Sequence, residues 1–331
     1  MRSQTMRGRL ALSVAGLAVL TAACGGGEST DSGSDGQNLS GTIKVDGSST
    51  VAPLSEAAAE FFRADNSGVQ VTVGTSGTGG GFEKFCNGET DISDASRPIK
   101  DKEKSACAAK GVVFDEFTVA NDALTVVVNK DNDWIECITV EQLKKIWEPD
   151  SKVNNWNQVD PKFPDVDLKL FGAGTDSGTF DYFTDEINGE EGASRTDYNA
   201  TEDDNVTVTG VSGDKGGLGY FGFSYFEENE DKLKALKVDG GDGCVEPSVA
   251  TVQDGSYKPL ARPLFIYPTA ALLARPEGAA FLEFFAENAT EIAEEARFVP
   301  LTDAQKSELT SKIEALKGKA GNTPAASPSS S

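Results

Sequence analysis

Three times along this chain a short β-branched run leads into a small, hydroxyl-rich loop and then into apolar residues at helical spacing. Residues 42–45 (TIKV) precede the loop DGSST (46–50), after which Leu54, Ala58, Phe61 and Phe62 recur on one helical face. Residues 69–73 precede GTSGTGGG (74–81), followed by Phe82, Phe85 and Cys86. Residues 167–171 precede GAGTDSGT (172–179), followed by Phe180, Phe183 and Ile187. Strand-period runs feeding helix-period runs define an α/β fold. No repeat of fixed period occurs, which excludes a solenoid. At 331 residues the chain suffices for one large domain or two lobes around a real core.

Each loop stands where a helix begins. A helix start exposes unpaired N–H groups and about half a positive charge, a combination that favours an anion. Glycine lets the backbone approach a ligand closely, and Ser or Thr adds a hydroxyl donor. One such loop is more simply an N-cap, because Ser and Thr are preferred caps. Three of them point to convergence on one anion at the carboxyl ends of the strands. A fourth segment, DISDASRPI (91–99), places Ser96 and Arg97 just before Pro98, on a loop that the proline keeps out of a helix. A guanidinium meets a tetrahedral oxyanion with two parallel hydrogen bonds. The plain alternative for Arg97 is a surface salt bridge.

The rest of the composition narrows the chemistry. There is no histidine, which removes Ser-His-Asp and Cys-His catalysis and His-ligated zinc or haem. Fifty-three acidic residues against 30 basic ones give a charge of −23, which argues against nucleic acid as a partner. GAGTDSG (172–178) half-matches a dinucleotide fingerprint, but Ser177 stands where its third glycine belongs. No GxxxxGK[ST] loop and no GxSxG elbow is present. A metal-dependent phosphate-ester hydrolase built on aspartates stays open as an alternative. The acidic turns EDDN (202–205) and DGGDGC (239–244) lack EF-hand spacing and read as solvated turns. The aromatic residues of GYFGFSYF (219–226) read as core rather than as a sugar platform.

The first 23 residues read as a signal peptide: Arg2, Arg7 and Arg9 precede an apolar run, and Thr21, Ala22 and Ala23 lead to Cys24. This stretch resembles a bacterial lipobox, with Leu20 one place further from the cysteine than usual; an ordinary signal peptide cut nearby is the alternative. Its removal leaves 27 basic and 53 acidic residues, a charge of −26. Residues 25–38 contain no apolar side chain and read as a flexible tether, with a reach of about 20 Å. The tether is taken to run over 24–40, and a second disordered tail over 316–331. With Cys24 assigned to lipid, Cys86, Cys107, Cys137 and Cys244 remain, an even count that suggests two disulfides in an exported protein, with three connectivities open.

The motifs DGSSTVAPL (46–54), GTSGTGGGF (74–82), DASRPI (94–99), GTDSGTFDYF (174–183), DYNATEDDN (197–205), GYFGFSYFEEN (219–229) and ARPLFIYP (261–268) together resemble the phosphate-binding lipoproteins of bacterial phosphate-specific ABC transporters, a branch of the type II periplasmic binding proteins. The likeness covers nearly all of 41–315. It implies two α/β lobes joined by a hinge and holding one dehydrated phosphate: lobe 1 as 41–128 plus 261–315, lobe 2 as 129–260, with crossings near Val128 and Leu260. With those lobes, Cys86–Cys107 and Cys137–Cys244 are the pairs that stay within one lobe. Thr302 with Gln305 reads as a capping box for a last helix whose Leu309, Ile313 and Leu316 pack on lobe 1.

Carried over residue by residue, the resemblance places Ser49, Thr50 and the Val51 amide around phosphate, with Thr78, then Ser96 and Arg97, then Ser177, Gly178 and Thr179. Many relatives carry an arginine shortly before the Ser-Gly-Thr; here Ala173-Gly174 stands there, and Arg97 is expected to take over. Relatives also use an aspartate to accept the proton of hydrogen phosphate. Its aligned position is Ser96, so Asp94 or Asp176 is the expected acceptor, while Asp46 is equally well structural. Such a protein is a monomeric, lipid-anchored, extracytoplasmic binder without cofactor or metal, and its partners are phosphate and the permease subunits of an ABC importer. A binder of another oxyanion, sulfate-like, is the alternative.

Overall fold

The β-branched runs become strands that feed helices, as their periodicity requires. The computed structural model describes residues 39–175 and 177–320. Its strands are β1 (Gly41–Gly47), β2 (Val69–Gly74), β3 (Ile92–Ala95), β4 (Phe117–Asn129), β5 (Cys137–Thr139), β6 (Lys169–Ala173), β7 (Asn199–Thr201), β8 (Gly217–Gly222), β9 (Leu233–Ala235), β10 (Lys237–Asp239), β11 (Cys244–Val245) and β12 (Ala261–Pro268). The first six helices are α1 (Ala52–Asp65), α2 (Gly77–Cys86), α3 (Asp101–Ala109), α4 (Val140–Trp147), α5 (Trp156–Val159) and α6 (Gly178–Asn188).

Nine strands share one sheet in the order β2-β1-β3-β12-β4-β8-β6-β7, with β9 also paired to β4. The outer pairs β1–β2, β1–β3, β6–β7 and β6–β8 are parallel, and the central β12–β3, β12–β4 and β4–β8 are antiparallel. A separate three-stranded sheet, β11-β10-β5, draws its strands from residues 137–245. Parallel strands at each flank place two sets of strand ends and helix starts on the molecule, which is the geometry of two α/β lobes.

The hydrophobic core divides accordingly. Ile43, Val45, Leu54 and Phe62 pack with Phe281, Phe285, Leu309 and Ile313 in one cluster. Trp147, Trp156, Phe183, Leu218 and Tyr220 centre a second. Phe183 stacks on Tyr220 with ring centroids 3.8 Å apart, and Trp147 meets both edge-on, so the aromatic residues of 219–226 serve as core. Along β4, Ala120 belongs to the first cluster and Ala123 to the second, a change a few residues ahead of the crossing expected near Val128. Val299 joins β4 at this seam through a bridge to Asn121.

Cys86 is bonded to Cys107, joining α2 to α3, and Cys137 to Cys244, joining β5 to β11. Each staple closes within the first or the second half of the fold. Thr302 and Gln305 form the expected capping box, with Gln305 N–H donating to Thr302 Oγ1 at 3.1 Å and Thr302 N–H to Gln305 Oε1 at 2.9 Å. The last helix, Asp303–Ala320, runs beyond the expected start of the tail at residue 316. The cause is Leu316, which continues the Leu309 and Ile313 face into the core. Leu39 likewise packs on the first core although the tether was expected to run to residue 40. The signal peptide, Cys24 and most of the tether and tail lie outside the described residues. Among the described residues no helix is long and apolar enough to cross a membrane.

Candidate functional site

The carboxyl ends of β1, β2, β3 and β6 meet at a cavity of about 560 Å³ between the two halves. From the first half, Ser49, Thr50, Thr78, Ser96 and Arg97 reach it; from the second, Gly178. Six of the nine binding residues expected from the sequence are therefore brought together across some 130 positions of chain.

The first loop is set by what lies behind it. Ser48 N–H donates to the Asp94 carbonyl at 2.9 Å, tying the end of β1 to β3. Among the described residues the amides of Ser49 and Thr50 have no acceptor, so both stay available to a ligand. The Val51 amide does not: it donates to the Ser48 carbonyl at 3.2 Å inside the turn, and its side chain is buried in the first core. Val51 therefore shapes the turn instead of touching the cleft. Asp46, equally at home as a structural residue on the sequence alone, is one here. It accepts from Ser76 Oγ at 2.5 Å and from Lys84 at 2.6 Å, which locks the first loop to the start of α2. Burial would raise its pKa, but the bonds from Lys84 and Ser76 hold it below the ordinary value.

Thr78 and Ser96 form a hydroxyl pair, Oγ1 to Oγ at 3.1 Å, at the start of α2 and the end of β3. Across the cleft, α6 begins with Gly178 pressed against Thr50. A Cβ on residue 178 would lie 2.6 Å from Thr50 Oγ1, so any larger residue here would force the Thr50 side chain to turn. Ser177 caps this helix, its Oγ accepting the Thr179 N–H at 3.1 Å.

Two expectations change. Arg97 borders the cleft but directs its guanidinium to Glu103, with Nη1 at 3.0 Å and Nη2 at 2.8 Å. Glu103 also accepts the Lys100 amide at 2.8 Å, as the third residue of α3. Against the burial that would raise it, these bonds hold the Glu103 carboxyl low. Asp94, expected as a proton acceptor, is fully buried behind the first loop and accepts Ser55 Oγ–H at 2.9 Å. Strand alternation turns its side chain towards α1 and away from the cleft. Burial pushes its pKa up to about 8, against the Ser55 bond and with Asp46 and Glu56 adding, so it is a neutral acid at pH 7. Asp176 lies outside the described residues.

Sequence reasoning missed the opposite wall. Asp181, Asp185 and Glu186 of α6, with Glu191 beyond it, line the same cavity. Burial raises the pKa of Asp181, with Glu191 adding and Arg262 opposing; burial likewise raises Glu186, with Asp185 adding and Arg262 opposing. Helical spacing of i, i+4 and i+5 after the Ser-Gly-Thr start was the available signal. Arg262 and Tyr182 were missed as well. They reach the cavity from β12 and α6, elements separated by most of the second lobe. Among the described residues no group of three or more Cys, Asp or Glu side chains is placed to hold a metal ion.

Known proteins share this architecture. The PBP superfamily domain matches residues 32–289. The phosphate-binding protein PstS of Staphylococcus saprophyticus is 44% identical over 306 residues, 92% of this chain and 93% of that protein. The crystal structure of a possible phosphate binding protein from Planctomyces limnophilus aligns with a TM-score of 0.80 at 50% identity, spanning 84% of this chain and 99% of that one. A putative phosphate ABC transporter substrate-binding protein from Clostridium perfringens, solved with bound phosphate, aligns with a TM-score of 0.53 at 25% identity over 79% of this chain and 100% of that one.

Proposed function

This chain belongs to the PBP superfamily, and from that membership and the cleft's geometry we propose that it captures inorganic phosphate outside the cytoplasm and delivers it to an ABC importer. The observation that carries the reading is the meeting of neutral donors from both halves: the Ser49 and Thr50 amides, the Thr78 and Ser96 hydroxyls, and the start of α6 at Gly178. Donors held in place before the ligand arrives cost little to organise, and exclusion of water strengthens each of them. Named relatives bind phosphate, and this chain spans nearly their whole length. Lipid attachment at Cys24, a tether ending before Leu39, a monomeric state and docking on permease subunits complete the proposal.

Selection against sulfate follows from the acidic wall. At neutral pH phosphate carries a proton and offers it to a carboxylate, whereas sulfate has none and opposes lone pair to lone pair. Calorimetric titration is expected to give phosphate binding in the micromolar range or tighter, about −8 kcal/mol or better, with no competition from sulfate. Equal affinity for the two anions would remove the phosphate assignment.

A further inference from the structure

Two arginines border the cleft, and they are held differently. Arg97 gives both Nη groups to Glu103, with Nη1 also 3.1 Å from the Pro98 carbonyl. It is spoken for by the N-terminal structure of α3. Arg262 is the cross-strand partner of Asp122 in the β12–β4 pair and donates to it through Nε alone, at 3.2 Å. Its guanidinium carbon sits 3.5 Å from the centre of the Tyr182 ring, and Tyr182 is itself fixed by a bond from its hydroxyl to the Pro259 carbonyl at 2.8 Å. Among the described residues Nη1 and Nη2 have no hydrogen-bond partner.

The Arg262 side chain is 19% exposed and that of Asp122 only 7%, so the pair is shielded from water except towards the cavity. A guanidinium braced through Nε and one face presents its two-pronged Nη edge in a set direction, the form in which arginine meets tetrahedral oxyanions. The need for such a charge is plain: without Arg262 the second wall would offer the anion only the start of α6 and four carboxylates.

We infer that Arg262, and not Arg97, is the cation that pairs with the bound anion, and that Asp122 and Tyr182 are the residues that position it. The inference rests on the phosphate reading above. It also accounts for the absence of an arginine at Ala173-Gly174, because the charge enters from the hinge strand instead of the β6 loop.

Phosphate titration of the full chain, with thermal melting as the check on folding, tests it through the variants Arg262→Gln, Arg262→Lys, Arg97→Gln, Tyr182→Leu and Tyr182→Phe. Arg262→Gln is expected to lose at least about thirtyfold in affinity, as when one partner of a buried charge pair is removed. Arg262→Lys should lose about tenfold although the charge is kept, since one ammonium cannot offer two parallel donors; it decides the matter if the Gln variant does not fold. Arg97→Gln should stay within about threefold. Tyr182→Leu should weaken binding, and Tyr182→Phe, which keeps the ring under the guanidinium, should restore most of it. Wild-type protein that fails to bind phosphate overturns the reading and this inference together. Wild-type protein that binds, with both Arg262 variants within threefold of it, overturns the inference alone, as does Arg97→Gln losing more than Arg262→Gln. Wild-type affinity in Tyr182→Leu overturns the positioning role.

Discussion

The two walls of the cleft start from one design and end with opposite character. The first wall is made of three strand ends whose loops present Ser49, Thr50, Thr78 and Ser96, with Arg97 and Lys100 at its rim. The second has a single strand–loop–helix unit, and past Gly178 its helix turns Asp181, Asp185 and Glu186 to the cavity. A wall of small neutral donors grips an anion wherever its charge is spread. A wall of carboxylates repels every anion that has no proton to share. Affinity therefore belongs mainly to the first wall and discrimination to the second, while Arg262 at the seam offsets the repulsion.

The sharpest way to break this comparison is to keep the walls apart. Gly178→Val adds a branched side chain where a Cβ alone would lie 2.6 Å from Thr50 Oγ1, which displaces Thr50 and pushes the walls apart. Phosphate affinity should fall by about a hundredfold, or about 2.7 kcal/mol, in a titration, with melting of the unliganded protein little changed. Affinity within threefold of wild type would show that the approach of Gly178 to Thr50 is not needed for binding.

Next in size is a test of what supports the first wall. Asp94 has a folded-state pKa of about 8 against an ordinary value of 3.8. Between those values the unfolded chain ionises this group while the folded protein keeps its proton. Stability from this residue is thus complete below about pH 4, declines as pH rises, and levels off above about pH 8. Asp94→Asn removes the titration, retains an acceptor for Ser55, and should melt about 5 °C above wild type at pH 8 with no advantage at pH 4. A decline with pH as steep as in wild type would place the titrating group elsewhere.

The smallest expected effect concerns the second wall. Asp181→Asn should raise sulfate affinity by about threefold to tenfold and alter phosphate affinity less, in competition titrations at pH 7. If both anions gain equally, the wall repels charge without distinguishing the proton.

How legible each wall was in the sequence follows from how local its construction is. DGSST, GTSGTGGG and the Ser-Gly-Thr start of α6 each announce themselves within a dozen residues, because a strand, a turn and a helix start are neighbours in the chain. Even there, the Val51 amide is turned to an internal partner, a choice of hydrogen bond that composition does not reveal. The Arg97–Glu103 pair was within reach of sequence reading, since Glu103 stands at the third position of a helix beginning after Lys100. Arg262 was not. Its importance depends on β12 returning between β3 and β4 and on Tyr182 rising from α6 beneath it, a coincidence of three distant segments.

β4 runs through both halves: its residues 117–123 pair with β12, with a register shift between Leu264 and Phe265, and its residues 124–128 pair with β8. A hinge made this way is a torsion bar and not a loose joint. Opening the cleft would be taken up as twist of β4 where its partner changes from β12 to β8, between Ala123 and Leu124. An anion that bridges the two walls has only to tighten a spring that is already aligned.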